Sequence, residues 1–214
     1  MTPIPEIIRI FPLAEVVLFP ETLLPLHVFE PRYRKMLADA LEGERLIGMT
    51  LIREGNAAGS PPVYPIGCVG SIVQHERLAD GRSLIVLRGG VRFRIKREID
   101  TDEPYRLVEA QAMYEAPIPA EDMRGWRSEL HDRLADYLRA SGAEVKTLDK
   151  IFAKNALERI VNYLSASLPL EVVEKQSLLE CPTAEQRFHR LRDLIQFKTA
   201  EARLGMDGTR DADS

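Results

Sequence analysis

Residues that carry chemistry are scarce in this chain. Its two cysteines, Cys68 and Cys181, lie far apart and in no C-x-x-C pattern. They read as buried thiols kept reduced in a cytosol. The four histidines, His27, His75, His131 and His189, are widely separated, with no H-E-x-x-H and no second ligand at i+4. No metal is expected from them. His27 sits inside the apolar run Leu26-His27-Val28-Phe29 and is expected as a partnered, structural imidazole. His131 and Asp132 are neighbours on a helix and face different directions, so they form no dyad. The dipeptide Gly-Lys occurs nowhere, and a phosphate-cradling P-loop ends in that pair. No G-x-G-x-x-G is present either, and Gly89-Gly90 runs into a strand rather than a helix. These absences point away from an enzyme, with no catalytic residue and no cofactor expected.

Long apolar runs are missing too, which excludes a membrane-spanning helix. The start, Met1-Thr2-Pro3-Ile4-Pro5-Glu6, has neither a basic region nor an apolar one, so no secretory signal is read there. The net charge of −4 gives no global attraction to nucleic acid or anionic lipid. The expected location is the cytoplasm, away from membranes. At 214 residues and 45% hydrophobic, the chain can bury a real core.

What is present begins at Phe11–Gly43. Four prolines, Pro12, Pro20, Pro25 and Pro31, punctuate two short apolar runs, Val16–Phe19 and Leu23–Leu26. Each ring fixes φ and removes an N–H, so the stretch predicts strand, turn, edge strand and helix start. Pro31 suits the first helical position. Tyr33, Met36, Leu37, Ala40 and Leu41 follow at helical spacing, with Gly43 as the predicted left-handed terminator.

Further strands are predicted over 7–11, 46–52, 63–74, 83–88, 91–98 and 105–114, with a loop over 55–62 and an Asp80-Gly81 hairpin turn. Val91, Phe93 and Ile95 alternate with Arg92, Arg94 and Lys96, placing the first set inward and the cations in solvent. After Pro117 the apolar period changes to three and four. Stripes open at Trp126 and Ile151, a third helix starts after Pro169, and Thr183 with Gln186 opens the last. The expected class is α+β: a small, partly closed β-barrel with one early helix over 1–117, then a four-helix-type bundle over 118–205. Residues 206–214 are expected as a disordered tail.

The stretch FPLAEVVLFPETLLPLHVFEPRYRKML, followed by Ile47-Gly48-Met49, resembles the opening of the Lon-protease N-terminal (substrate-binding) domain. The likeness continues in Tyr64–Gly70, Gly89–Ile95, Gln176–Glu180 and Arg187–Leu191, and spans roughly residues 7 to 204. It implies a PUA-like barrel followed by a helical bundle. It also implies a non-catalytic module that binds unfolded polypeptide or a partner protein, an adaptor in protein quality control. Neither a P-loop nor a Pro-Ser-Ala-Gly-like nucleophile turn accompanies it, so proteolysis by this chain alone is not expected. Phe19, Pro20 and Leu23, in the apolar turn, are the candidate polypeptide-binding residues; any of them left exposed would mark an interface. The alternative is RNA binding through the basic strand face over 88–97, using Arg88, Arg92, Arg94 and Lys96. Against it, no aromatic is interleaved there for base stacking, and Asp100, Asp102, Glu103 and Glu109 stand nearby in sequence.

Overall fold

A computed structural model describes residues 4–55, 61–145 and 148–210. Most of the loop expected over 55–62, and the last four residues of the expected tail, lie outside the described residues. The chain divides into two compact units, 1–114 with 165–180, and 115–164 with 181–214.

The first unit is a sheet of six strands: β1 (Ile7–Leu13), β2 (Leu23–Val28), β3 (Leu46–Leu51), β4 (Ile66–Arg77), β5 (Ser83–Ile99) and β6 (Arg106–Met113). Their order is β2-β5-β4-β3-β1-β6, and a further β5–β6 pairing closes five of them into a ring. Only β1 and β3 run parallel; the rest pair antiparallel. β2 stands outside the ring as the predicted edge strand, paired with β5 alone. Helix α1 (Pro31–Glu42) follows it, with Pro31 at the helix start as predicted. The left-handed residue after α1 is Arg45 (φ 59°) rather than Gly43. The Arg45 N–H donates to the Ala40 carbonyl at 2.9 Å, which fixes that geometry.

Two predicted strands, 83–88 and 91–98, are one strand, β5. Gly89-Gly90 does not break it, because Gly89 lets another segment cross tightly. A Cβ on Gly89 would meet the Phe19 carbonyl oxygen at 1.9 Å. Inside the ring, Ile8, Ile10, Val69, Phe93, Val108 and Ala110 form a buried cluster. The Phe93 ring lies over Gly67, where a Cβ would stand 2.8 Å from it and 2.3 Å from the Met49 carbonyl.

The helices of the second unit are α2 (Ala120–Ala140), α3 (Leu148–Lys154), α4 (Leu157–Ser167) and, after α5, α6 (Ala184–Arg210). The single stripe predicted from Ile151 is two helices, because Asn155 turns its amide back onto the Ile151 carbonyl at 2.9 Å. Arg127 donates to the Phe152 and Asn155 carbonyls, filling acceptors that a continuing helix would have used. Trp126 stacks on Phe188 at 4.9 Å between centroids. Thr183 Oγ1 accepts from the Gln186 N–H at 3.1 Å, as its spacing predicts. α6 runs through Gly205 to Arg210, since an interior glycine costs only about 1 kcal/mol.

Helix α5 (Val172–Leu179) belongs to the barrel unit, although its sequence position falls within the predicted bundle. Two buried polar side chains bind it there. Gln176 Nε2 donates to the Ile66 carbonyl on β4 at 3.0 Å. Arg92 Nη1 donates to the Leu179 carbonyl at 2.5 Å, at the helix C-terminus where a cation also meets the negative end of the dipole.

Candidate functional site: an exposed sheet face on an edge strand

The site begins at the turn Phe19-Pro20-Glu21-Thr22. The Thr22 N–H and hydroxyl both donate to the Phe19 carbonyl, at 3.2 and 2.8 Å. Pro20 pre-sets the second position, and Glu21 takes φ 62° at the third, the signature of a type II turn. Glu21 N–H then donates to the Gly89 carbonyl (2.8 Å), and Gly89 N–H donates to the Thr22 carbonyl (2.9 Å). Two residues therefore oppose one: a G1-type bulge that fixes the register of β2 on β5. Phe19 is fully buried beneath this turn. The sequence reading that offers it as a contact residue is corrected: the turn crosses Gly89 so closely that the ring goes into the core.

From that bulge, Leu23 lies opposite Arg88, Pro25 opposite Val86 and His27 opposite Leu84; across β5, Ser71, Gln74 and Glu76 continue those rows on β4. Alternation puts these residues on the outer face, while Leu24, Leu87, Ile72, Ile85 and Val28 face inward. Leu23 is 60% exposed, Phe29 57% and Leu84 42%. Pro20 and Val86 are half-buried, and Pro25 is exposed. His27 is exposed as well, 5.7 Å from the Phe29 ring, and is not the buried imidazole expected. A groove of about 650 Å³ runs along this part of the sheet, bordered by Pro25, His27, Gln74, Glu76, Leu84 and Val86. The face is graded: apolar along β2 and β5, polar along β4.

The free edge of β2 adds a constraint. With Thr22 bonded to Gly89, residues 24, 26 and 28 turn their backbone groups to β5, and 23, 25 and 27 turn theirs outward. Pro25 thus places its missing N–H on the open edge. That is where a strand tolerates proline, and it removes a donor that another strand could use.

The basic strand face does not assemble. Arg92, predicted in solvent, is 1% exposed and anchors α5. The alternation fails at that residue because the C-terminal end of α5, distant in sequence, lies over Arg92 on the outer side of β5. Lys96 and Arg97 both reach Glu109, at 3.5 and 2.7 Å. The Arg97 hydrogen bond, then the Lys96 charge among lesser causes, holds the Glu109 carboxyl below the ordinary glutamate range. Arg94 is exposed, and Arg88 lies on the other half of β5, across from Leu23.

Of the candidate polypeptide contacts, Leu23 and Pro20 remain near the face. Sequence reasoning missed Pro25, His27, Phe29, Leu84 and Val86. The period-2 set Leu23, Pro25, His27, Phe29 was the available signal, hidden because a proline and a histidine interrupt its hydrophobicity. Among the described residues, no helix is long and apolar enough to cross a membrane.

Comparison with known proteins places this geometry. Residues 7–196 match the family described as the ATP-dependent protease La (LON) substrate-binding domain. Lon protease 2 of Syntrophobacter fumaroxidans is 28% identical over 92% of this chain, and the Lon protease of Dictyoglomus thermophilum 29% over 88%. The chain spans about a quarter of the length of these curated relatives, 26% and 24%. Among solved structures, the Lon N-terminal domain protein from Xanthomonas campestris aligns with TM-score 0.62 at 24% identity, covering 86% of this chain and 96% of that one. The N-terminal domain of Mycobacterium avium complex Lon protease aligns with TM-score 0.69 at 17% identity, covering 89% and 98%. The match names a domain for substrate binding, not the catalytic part of that protease, and the α+β fold of both neighbours agrees. The chain belongs to the Lon substrate-binding domain family.

Proposed function

We propose that this chain is a polypeptide-binding module that holds unfolded segments on the outer face of β2 and β5, and serves as an adaptor in protein quality control. The observation that carries the reading is the cluster of exposed apolar side chains, Leu23, Phe29 and Leu84 with Pro25 and Val86, on an edge strand of a substrate-binding family member. Contiguous exposed apolar surface is costly in water and marks interaction sites. The face is an open groove along the strands, which suits an extended chain recognised by hydrophobicity rather than by one pocketed side chain. Pro20 borders it at the turn; Leu23 lies at that end, and Pro25 and Val86 form its centre.

The experiment is anisotropy of a labelled, permanently unfolded client protein titrated with this chain. Micromolar association is expected, and the double variant Leu23→Asp with Leu84→Asp is expected to weaken it at least tenfold. Both positions are exposed, so the variant keeps its fold, which circular dichroism checks. No association at high micromolar concentration, or full affinity in the double variant, overturns the reading.

A further inference from the structure

The outer face carries charge at its two ends, and this gives it a preference among apolar segments. Arg88 stands at the Leu23 end, directly across from Leu23; Glu76 stands at the other, directly across from Leu84. Both are exposed, and among the described residues neither is held in an ion pair. Lys96 and Arg97, farther along the same strand, share Glu109 instead. Between the two ends lie Pro25 and Val86, which are apolar.

We propose that the face selects extended segments in which one apolar residue is flanked by a carboxylate and a cation, each two residues away. The inference rests on the polypeptide-binding reading above. Arg88 and Leu84 are four residues apart on β5, about 14 Å at some 3.4 Å per residue. An extended client has the same rise, and its residues i, i+2 and i+4 project to one side. An acid at i therefore meets Arg88, an apolar residue at i+2 meets Pro25 and Val86, and a base at i+4 meets Glu76. The client lies across the face rather than joining the edge, because Pro25 withholds the central N–H that an added strand needs. Nothing on a sheet face fixes chain direction, so a base–apolar–acid segment binds turned end for end.

The test uses labelled peptides sharing one core, Xaa-Thr-Leu-Thr-Zaa, between Gly-Ser flanks. The end residues are Asp and Lys, Ser and Ser, Asp and Asp, or Lys and Lys. In 50 mM salt the Asp/Lys peptide is expected to bind about three- to tenfold tighter than the Ser/Ser peptide, the scale of two exposed ion pairs. In 500 mM salt the difference is expected to vanish. Arg88→Glu and Glu76→Lys singly are expected to abolish the preference. The double reversal is expected to restore it, since the peptide turns round. Equal affinity of all four peptides, with loss of binding in Leu23→Asp/Leu84→Asp, overturns the charge preference and leaves the apolar site standing. Peptide binding indifferent to Leu23→Asp/Leu84→Asp, or absent altogether, overturns both.

Discussion

The two halves of β5 look alike in sequence and end up doing opposite things. Residues 83–88 alternate with Leu84, Val86 and Arg88 outward, and that side stays open to water. Residues 91–97 alternate with Arg92, Arg94 and Lys96 on the nominal outer side. There Arg92 is buried against α5, and Lys96 and Arg97 are paired with Glu109. The difference lies in the neighbours. The first half is flanked by the edge strand β2, whose outer side nothing among the described residues of this unit covers. The second is flanked by β6 and is met at Arg92 by a helix whose Leu179 lies 87 positions later in the chain. Outward position in a strand says which face a side chain is on; only packing from elsewhere says whether that face is wet.

The comparison breaks most visibly at Arg92. Arg92→Ala is expected to destabilise the barrel unit by about 3 kcal/mol, since a buried, charge-assisted bond and its volume are both lost. Arg94→Ala, two residues on, is expected to stay within about 0.5 kcal/mol. Urea unfolding of the two variants separates them; equal effects would mean that α5 does not depend on this guanidinium.

Next in size is Gly89, the point where the halves join. Gly89→Ala forces a methyl against the Phe19 carbonyl, where no room exists. The expected cost is about 2–3 kcal/mol, together with weaker client binding, because the displaced turn sets the register of β2. Wild-type stability and affinity in this variant would show that the turn moves aside freely.

The smallest effect sharpens the contrast in charge. The Glu109 carboxyl is held below its ordinary range by Arg97. Its contribution to stability is therefore full above the unfolded glutamate pKa and is lost as pH falls through the lower folded value. Glu109→Gln is expected to lower the neutral-pH melting temperature slightly and to flatten that acid limb, so that variant and wild type converge at low pH. An acid limb identical to wild type in a series of thermal melts contradicts the pairing.

Much of the barrel was legible because its signals are local. Prolines 20, 25 and 31 mark turn, edge strand and helix start through φ and the missing N–H. Phe93 and its alternating neighbours mark a core strand by period 2. The candidate site was half legible. Leu23 stood out as a leucine candidate, but Val86 and Leu84 sit on a different strand, and only the register, Pro25 opposite Val86 and His27 opposite Leu84, brings them onto the same face. Arg92 was misplaced, and Phe19 was left between core and surface, for one reason: each is governed by backbone from elsewhere, Gly89 beneath the second and the Leu179 carbonyl over the first. A hydrophobic ring in a turn stays undecided, and a cation on a strand reads as surface, until those partners are known.

On the proposed reading, clients occupy the half of β5 beside β2 and not the half beside β6. It is tested most directly by measuring unfolded-client affinity, by anisotropy in one buffer, for Leu84→Asp and Arg94→Glu side by side. At least a fivefold loss is expected for Leu84→Asp and less than a twofold change for Arg94→Glu. Unchanged affinity in Leu84→Asp with a large loss in Arg94→Glu would contradict it and move the binding surface to the other half of the strand.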